Sequence, residues 1–137
     1  MIDFTLKGKP IALKRHRSTR KGRMYDPSAK DKKQIWLQIA KFKPKRPFKG
    51  DIMIQVAFYM PRPKSHYRTG KFKHILKDNV PHYHSFTPDL DNLVKMLLDC
   101  IQGKNRMIID DSQVCRIQAE KIYDESPRTE VYIEEIY

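Results

Sequence analysis

Apolar residues recur at two different spacings along the chain, and each spacing predicts one kind of element. From Ile52 to Met60 every second residue is apolar, which predicts a strand over residues 51–60. Shorter alternating stretches predict further strands over residues 3–13, 114–123 and 129–136. The last two strands are separated only by a turn-like segment, so we expect them to form a hairpin.

Helical spacing occurs twice. Ile35 and Ile39, followed by Phe42, give residues 28–42 one apolar face, and Ser28 is placed to cap this helix. Residues 89–102 form the second such segment, with Leu90, Leu93, Leu97 and Ile101 on one side and Gly103 just past its end. The element order is β-α-β-loop-α-β-β. This order predicts an α+β fold for a single domain over residues 1–137, with a small mixed β-sheet and two main helices packed on one face.

Two long segments lack either spacing. Residues 14–24 are polar and basic, and residues 61–88 combine basic residues, histidines and prolines. A loop as long as the second one is uncommon inside a small domain unless it has a function or is disordered. We therefore expect these segments to lie on the surface and to serve binding.

The charge is unevenly distributed along the 137 residues. The formal net charge is +12, yet residues 1–88 hold 22 Lys and Arg against 5 Asp and Glu, whereas residues 89–137 hold 6 against 11. A basic segment of this size indicates a polyanionic partner such as nucleic acid. No stretch is apolar enough for a membrane span or a signal peptide, and Cys100 and Cys115 lack metal-ligand spacing. We expect a cytoplasmic protein with both thiols reduced and in the core.

The acidic residues are concentrated in two short stretches. Asp89 and Asp91 begin the second predicted helix, and Asp110 and Asp111 follow it after a short loop. That loop returns the chain towards the start of the helix, so we expect the carboxylates to converge at one edge of the sheet. Carboxylates with water are the ligands that Mg²⁺ and Mn²⁺ prefer. Lys95 lies one turn beyond Asp91 on the same helix face, where it can stabilise a phosphate that is being attacked.

Simpler explanations exist for each of these residues alone. Asp89 has the position of an ordinary helix cap, Asp91 and Lys95 have the spacing of an ordinary ion pair, and Asp110 with Asp111 fits a turn. Asp99 has the spacing to pair with Lys95. The metal site is favoured because a strongly basic chain keeps its acids together.

The stretches Asp89-Leu90-Asp91-Asn92-Leu93 with Lys95, and Asp110-Asp111-Ser112-Gln113-Val114, resemble the two motifs of the RusA family of Holliday junction resolvases. This family is common in prophages. Weaker resemblance extends to Met24-Tyr25-Asp26-Pro27 and to the strand that ends at Met60-Pro61. The resemblance covers most of the chain, although the segment 61–88 is longer than in familiar members.

The resemblance implies a homodimer that binds Mg²⁺, for which Mn²⁺ can substitute. It also implies that the dimer resolves four-way DNA junctions by symmetric paired nicks. It assigns catalysis to Asp89, Asp91, Asp111 and Lys95, and metal binding to the three aspartates, with Asp110 as a further contributor. The expected partners are branched DNA and a second copy of the chain. No membrane and no small-molecule cofactor is expected.

The basic segments supply the candidate DNA contacts, which position phosphates without reading sequence. Tyr59, Tyr67 and Phe72 suit either stacking on unpaired bases or ordinary packing. His82 and His84, with His74 nearby, make a weak zinc pattern, and Trp36 suits the core or a dimer interface. The candidate phosphate-binding residues are Lys14, Arg15, Arg17, Arg20, Lys21, Arg23, Arg62, Lys64, Arg68, Lys71 and Lys73.

Three other functions stay open at this point. The same site would suit a nuclease for flaps, replication forks or RNA. The acids would be purely structural in a non-catalytic nucleic-acid binding module, which predicts no Mg²⁺-dependent nicking. A basic ribosome-associated protein is the third, and the clustered acids count against it.

Overall fold

The computed structural model describes residues 1–14 and 17–136, and of Arg17 the backbone alone. It is an α+β fold, as the sequence predicts, with a mixed four-stranded sheet and two helices. The elements are β1 (Ile2–Lys7), β2 (Arg17–Ser18), β3 (Met24–Tyr25), α1 (Ala29–Ile39), β4 (Asp51–Met60), α2 (Leu90–Ile101), β5 (Val114–Tyr123) and β6 (Arg128–Ile136).

The strand order of the main sheet is β1-β6-β4-β5. β4 pairs with β5 in parallel and with β6 antiparallel, so β4 lies between the last two strands. The predicted hairpin of β5 and β6 is therefore wrong. The connection between them crosses the end of β4, where Asp124 N donates to Met60 O over 2.9 Å.

Side chains within this connection hold its shape. The Asp124 carboxylate accepts hydrogen bonds from Ser126 N and from an Arg128 guanidinium nitrogen, over 2.9 and 2.8 Å. Arg128 also stacks on Tyr59, with its guanidinium carbon 3.8 Å from the ring centroid. These bonds lower the pKa of Asp124, first through Ser126 and then through Arg128. These contacts hold the short connection in the shape that carries the chain from β5 past β4 to β6.

β1 is shorter than predicted because the chain turns at Gly8. This glycine has φ of 98°, a left-handed conformation that suits glycine, and its nitrogen donates to Pro127 O over 3.1 Å. The strand consequently ends at Lys7 rather than continuing to Leu13. Residues 9–14 instead lead towards the start of α2, with Pro10 buried and with Ala12 and Leu13 packed against the core.

The core lies between the sheet and the two helices. The alternating residues of β4 from Ile52 to Met60 are buried, and so are Leu93, Met96 and Leu97 of α2. Apolar burial of this kind stabilises a domain by roughly 25 cal/mol per Å². Among the described residues, no helix has the length and apolarity that crossing a membrane requires.

Two expectations about buried residues need correction. Ser28 precedes α1 but makes no capping hydrogen bond with its side chain. It is fully buried, and its Oγ accepts from Lys14 N over 2.9 Å.

Cys100 is buried, which raises the pKa of its thiol to about 12. Cys115 is exposed on β5 rather than in the core, at the register shift of the β4–β5 pairing, where it has no partner residue on β4.

Candidate functional site

Asp89 and Asp91 both lie exposed at the N-terminal end of α2. Asp89 occupies the cap position with an extended backbone, φ −71° and ψ 144°, but its side chain makes no capping hydrogen bond. Asp91 accepts from Asn92 N over 3.0 Å, a contact within its own turn. The simple explanation of Asp89 as a helix cap is therefore not realised, and both carboxylates face solvent at the positive end of the helix dipole.

Two other parts of the chain fix this helix start. Lys121 of β5 donates from Nζ to the carbonyl oxygens of Phe86 and Pro88, over 2.7 and 2.8 Å. Leu13 N donates to Asn92 O over 3.0 Å, which brings the beginning of the basic segment 14–24 beside Asp91. A strand, a loop and a basic segment thus meet at the two aspartates.

Asp110 and Asp111 occupy the tight turn before β5. Asp110 accepts from Ser112 N over 3.0 Å and forms a reciprocal capping arrangement with Gln113, whose side chain accepts from Asp110 N. The hydrogen bonds from Ser112 lower the pKa of Asp110. Gln113 also donates to Phe48 O and Gly50 O, over 2.8 and 3.0 Å, which anchors the turn to the chain before β4. Asp110 therefore has a structural task in this turn.

Asp111 lies at the opposite end of α2 from Asp91. Its backbone nitrogen donates to Gln102 Oε1 over 2.9 Å, and its carboxylate accepts from Gln102 Nε2 over 3.4 Å. Gln102 follows the last residue of α2, and eleven residues at about 1.5 Å each separate it from Asp91 by about 16 Å. Asp91 and Asp111 thus mark the two ends of one helix.

The expected convergence of the four aspartates within one chain is therefore wrong. Among the residues that the structure describes, no three His, Cys, Asp or Glu side chains are grouped closely enough to hold a metal ion. The oxygen chemistry of these side chains fits a hard cation, but their placement in a single chain does not. The short loop after α2 places Asp111 beside the end of the helix instead of returning it to the start.

Lys95 is exposed one turn after Asp91. The ion pairs between described residues do not include Lys95, so the simple ion-pair explanation is not realised. Asp99, the other candidate partner, lies 3.1 Å from Lys32 of α1. Burial opposes the charge of Lys32, but hydrogen bonds to Asp26 and Asp99 outweigh it and raise the pKa of Lys32. The Lys95 ammonium is available to a ligand.

Most candidate phosphate-binding residues are exposed. Arg62 is the exception, since it donates to Pro81 O over 2.8 Å and packs over Tyr123, which holds the segment 61–88 against β5. Arg15 and the side chain of Arg17 lie outside the described residues. The exposed members of the set are Lys14, Arg20, Lys21, Arg23, Lys64, Arg68, Lys71 and Lys73.

Two histidines of the segment 61–88 pack against β5. The rings of His66 and His84 pack edge-on against Tyr123, with centroids 4.9 and 5.1 Å apart. Burial, with the nearby charge of Lys121, lowers the pKa of His84, and its Nδ1 atom is buried without a hydrogen-bond partner. No zinc group forms among the described histidines. Aromatic packing is thus the observed role of His66 and His84.

The aromatic residues differ in what they offer to a base. Phe72 is about half exposed and is therefore open to stacking. Tyr59 is covered by Arg128, and Trp36 is covered by Arg106, 4.4 Å from its ring centroid.

The opposite face of the sheet has an open hollow of about 550 Å³ that includes Asp3, Glu120 and Glu130. Its acids would repel phosphate, so this face does not suit a polyanion.

Comparison with known proteins defines the class. Residues 7–134 match the family described as endodeoxyribonuclease RusA. The chain is 34% identical to the uncharacterized protein YqaN of Bacillus subtilis (strain 168) over 141 residues, which cover 98% of this chain and 96% of that protein. It is 31% identical to the crossover junction endodeoxyribonuclease rusA of Lactococcus phage r1t over 115 residues, which cover 82% and 77%. These matches define an endonuclease that acts on DNA.

The chain belongs to the RusA endodeoxyribonuclease family, as the two aspartate motifs predict. Three residues that shape the candidate site were not singled out from the sequence: Gln102, Gln113 and Lys121. Gln113 stands within the second motif, so its spacing was a usable signal. Lys121 is one basic residue in an alternating strand, and only the fold reveals that it touches Pro88.

Proposed function

We propose that the protein is a Mg²⁺-dependent endonuclease that resolves four-way DNA junctions as a homodimer, by symmetric paired nicks in recombination and repair. Asp89 and Asp91 of one chain would hold the metal together with Asp111 of the second chain, with Asp110 beside it, because within a single chain these side chains are not grouped closely enough for one ion. Mn²⁺ would substitute for Mg²⁺. Lys95 would assist catalysis. The junction as substrate is supported by the name of the phage relative, which is a crossover junction nuclease.

One observation supports this proposal most strongly. Asp89 and Asp91 are exposed and make no ion pair among the described residues, although a basic segment reaches the same helix end through the Leu13–Asn92 hydrogen bond. Carboxylates repel a phosphate, so acids beside a phosphate-binding surface need a cation between them. Hard divalent cations suit carboxylate oxygens.

The reaction is phosphodiester hydrolysis. Water attacks the phosphorus and gives up a proton to solvent as the new phosphorus–oxygen bond forms. The bond to the leaving deoxyribose oxygen breaks, and that oxygen takes up a proton. A bound divalent cation supplies charge neutralisation at the phosphate when it is present. The chain contributes the Lys95 ammonium, which offsets negative charge that develops on the phosphate oxygens.

Binding precedes this chemistry and depends on the basic segments. The exposed Lys and Arg residues of 14–24 and 61–88 neutralise backbone phosphates, which makes affinity fall with salt and keeps it independent of sequence. Phe72 is placed in the second segment, where it can stack on a base that is unpaired at the branch point. Junction selectivity would follow from presenting two such surfaces in a dimer.

The test is a synthetic four-way junction, labelled on each strand in turn, incubated with and without Mg²⁺. The proposal predicts two nicks at symmetry-related positions with Mg²⁺ and none without it. Replication-fork, flap, duplex and RNA substrates in the same assay separate junction resolution from other nuclease functions. A protein that binds the junction but nicks no substrate at any Mg²⁺ concentration would be a binding module, and the proposal would be lost.

A further inference from the structure

One strongly basic segment has no part in the function described so far. Residues 41–49 carry five Lys and Arg side chains and no Asp or Glu. All five are exposed, and the ion pairs that join described residues include none of them. Like charges placed this close together repel each other and oppose folding, so they indicate a polyanionic ligand. The five cations are Lys41, Lys43, Lys45, Arg46 and Lys49.

The backbone of this segment is fixed, unlike that of a flexible basic tail. Phe48 N donates to Met107 O over 2.8 Å, and the side chain of Gln113 donates to Phe48 O over 2.8 Å. Pro44 and Pro47 restrict the segment further, because their rings lock φ. The cations are therefore presented from a rigid support, which reduces the entropy lost on binding.

The same anchors place the segment beside the turn that holds Asp111, since Gln113 belongs to that turn. Lys43 Nζ also donates to Asn105 O over 3.4 Å, in the loop that leaves α2. Lys104 of this loop is exposed as well. We call the exposed cations on this side of the chain the distal basic surface, which consists of Lys43, Lys45, Arg46, Lys49 and Lys104.

The distal basic surface and the segment 14–24 lie at the two ends of α2. The segment 14–24 reaches the helix start through the Leu13–Asn92 hydrogen bond, whereas Gln102 holds Asp111 at the helix end. The two ends are about 16 Å apart along the helix, which corresponds to about five nucleotides of duplex at roughly 3.4 Å each. A duplex that passes both ends of α2 therefore meets cations at both.

We propose that the distal basic surface binds the phosphate backbone of a duplex arm of the substrate, next to Asp111 and away from the segments 14–24 and 61–88. This inference rests on the proposed function for its substrate. Backbone contacts position the arm without reading its sequence. The surface thus fixes the direction in which an arm leaves the nuclease site, and it contributes to affinity rather than to the chemical step.

Salt-dependent DNA binding tests the surface without relying on cleavage. Lys45→Gln with Arg46→Gln is compared with wild type by fluorescence anisotropy, without Mg²⁺ and at several salt concentrations. Each phosphate contact contributes about 0.9 to the slope of log affinity against log salt, so losing two should reduce the slope by about 2. The reduction should be equal on a four-way junction and on a linear duplex, because both present a duplex backbone.

The matched control is Lys7→Gln with Arg116→Gln, which removes the same two residue types from the acidic face of the sheet. Lys7 shares its face of β1 with Asp3, and Arg116 shares its face of β5 with Glu120, because side chains alternate along a strand. This pair should keep the wild-type slope.

A charge-keeping variant separates charge from folding. Lys45→Arg with Arg46→Lys retains both cations and should bind like the wild type. In cleavage assays with Mg²⁺, the glutamine pair at residues 45 and 46 should raise KM and leave kcat unchanged, since it removes binding that is equal in the ground state and the transition state.

Two results would overturn the inference. One is an equal salt slope for the glutamine pair at residues 45 and 46 and for its control. The other is a reduction seen only with the junction, which would assign these cations to the branch and not to an arm. Failure of the proposed function looks different, because the wild-type protein would then bind both DNAs through this surface and nick neither with Mg²⁺.

Discussion

Lys121 donates a hydrogen bond from Nζ to the carbonyl oxygen of Pro88 over 2.8 Å, so strand β5 holds the residue that directly precedes Asp89. A second bond, to Phe86 O over 2.7 Å, fixes the last residues of the segment 61–88. Lys121 is thus a positioning residue for the start of α2. It acts on the Asp89 carboxylate through the backbone and has no reacting role of its own.

Replacing Lys121 with Met should lower kcat for junction cleavage by about 10–100-fold, the usual effect of losing a group that orients a ligand side chain. Affinity for the junction should change little, because a single charge is lost from a highly basic surface. Lys121→Arg should restore part of kcat, since arginine can still donate to both carbonyls. Lys104→Met, at an exposed lysine away from this contact, is the control. Wild-type kcat in Lys121→Met would contradict the assignment.

The Asp91→Asn substitution separates binding from catalysis. Cleavage should fall by about 10²–10³-fold or more because a ligand of the proposed metal and its charge are lost. Junction binding, measured by fluorescence anisotropy at fixed salt, should be unchanged or tighter, since a negative charge is removed beside the phosphates.

Asp3→Asn is the matched control, because Asp3 is exposed on β1 in the hollow on the opposite face of the sheet. It removes the same charge and should cleave like the wild type. Cleavage by Asp91→Asn at the control's rate would rule out the role given to Asp91.

The lowered pKa of His84 predicts a loss of stability in mild acid. Above pH 6.5 the imidazole is neutral in both the folded and the unfolded chain, so it has no effect there. As pH falls below 6.5 the unfolded chain takes up a proton that burial and Lys121 disfavour in the folded state, and the free energy of unfolding decreases.

His84→Phe should reduce this acid sensitivity, since it keeps the ring packing on Tyr123 and removes the titrating group. The measurement is Tm at pH 7 and pH 5 for both proteins. An identical drop in Tm would show that His84 is not the source.

The crossing between β5 and β6 should depend on Asp124. Asp124→Ala removes the acceptor for Ser126 N and for Arg128, and should lower the free energy of unfolding by about 1 kcal/mol. Because the folded pKa is lowered, this contribution is present above the ordinary value of 3.8 and is lost as pH falls below it. Glu125→Ala, at an exposed neighbour, is the control for urea denaturation at pH 7 and pH 3. Equal stabilities at pH 7 would contradict the role.

Local periodicity predicted the elements well but could not predict how they are arranged. The alternation in β4 and the apolar side of α2 follow from burial on one face, so the printed sequence shows them directly. The turn-like connection between β5 and β6 suggested a hairpin. That prediction was wrong because β4 lies between the two strands in the sheet. Strand order depends on contacts far apart in sequence, which spacing does not report.

The same distinction holds for the candidate site, where the sequence identified the residues but not their arrangement. The two motifs led to Asp89, Asp91, Asp111 and Lys95, and the family match confirms the endonuclease class. The separation of Asp91 from Asp111 was missed because the loop after α2 was assumed to turn back to the helix start. Gln102 instead holds Asp111 at the helix end. Contacts made by a single side chain, such as those of Gln102 and Lys121, have no signature in the sequence.

The central claim is that the acids at both ends of α2 act in one nuclease site, and a double-substitution comparison of junction cleavage rates tests it most directly. Asp91→Asn, Asp111→Asn and the double variant are measured against wild type with Mg²⁺. Residues that act as one unit are strongly non-additive, so each single substitution should lose most of the rate and the double variant should lose hardly more. Near wild-type cleavage by Asp111→Asn, or losses that simply multiply in the double variant, would contradict the account.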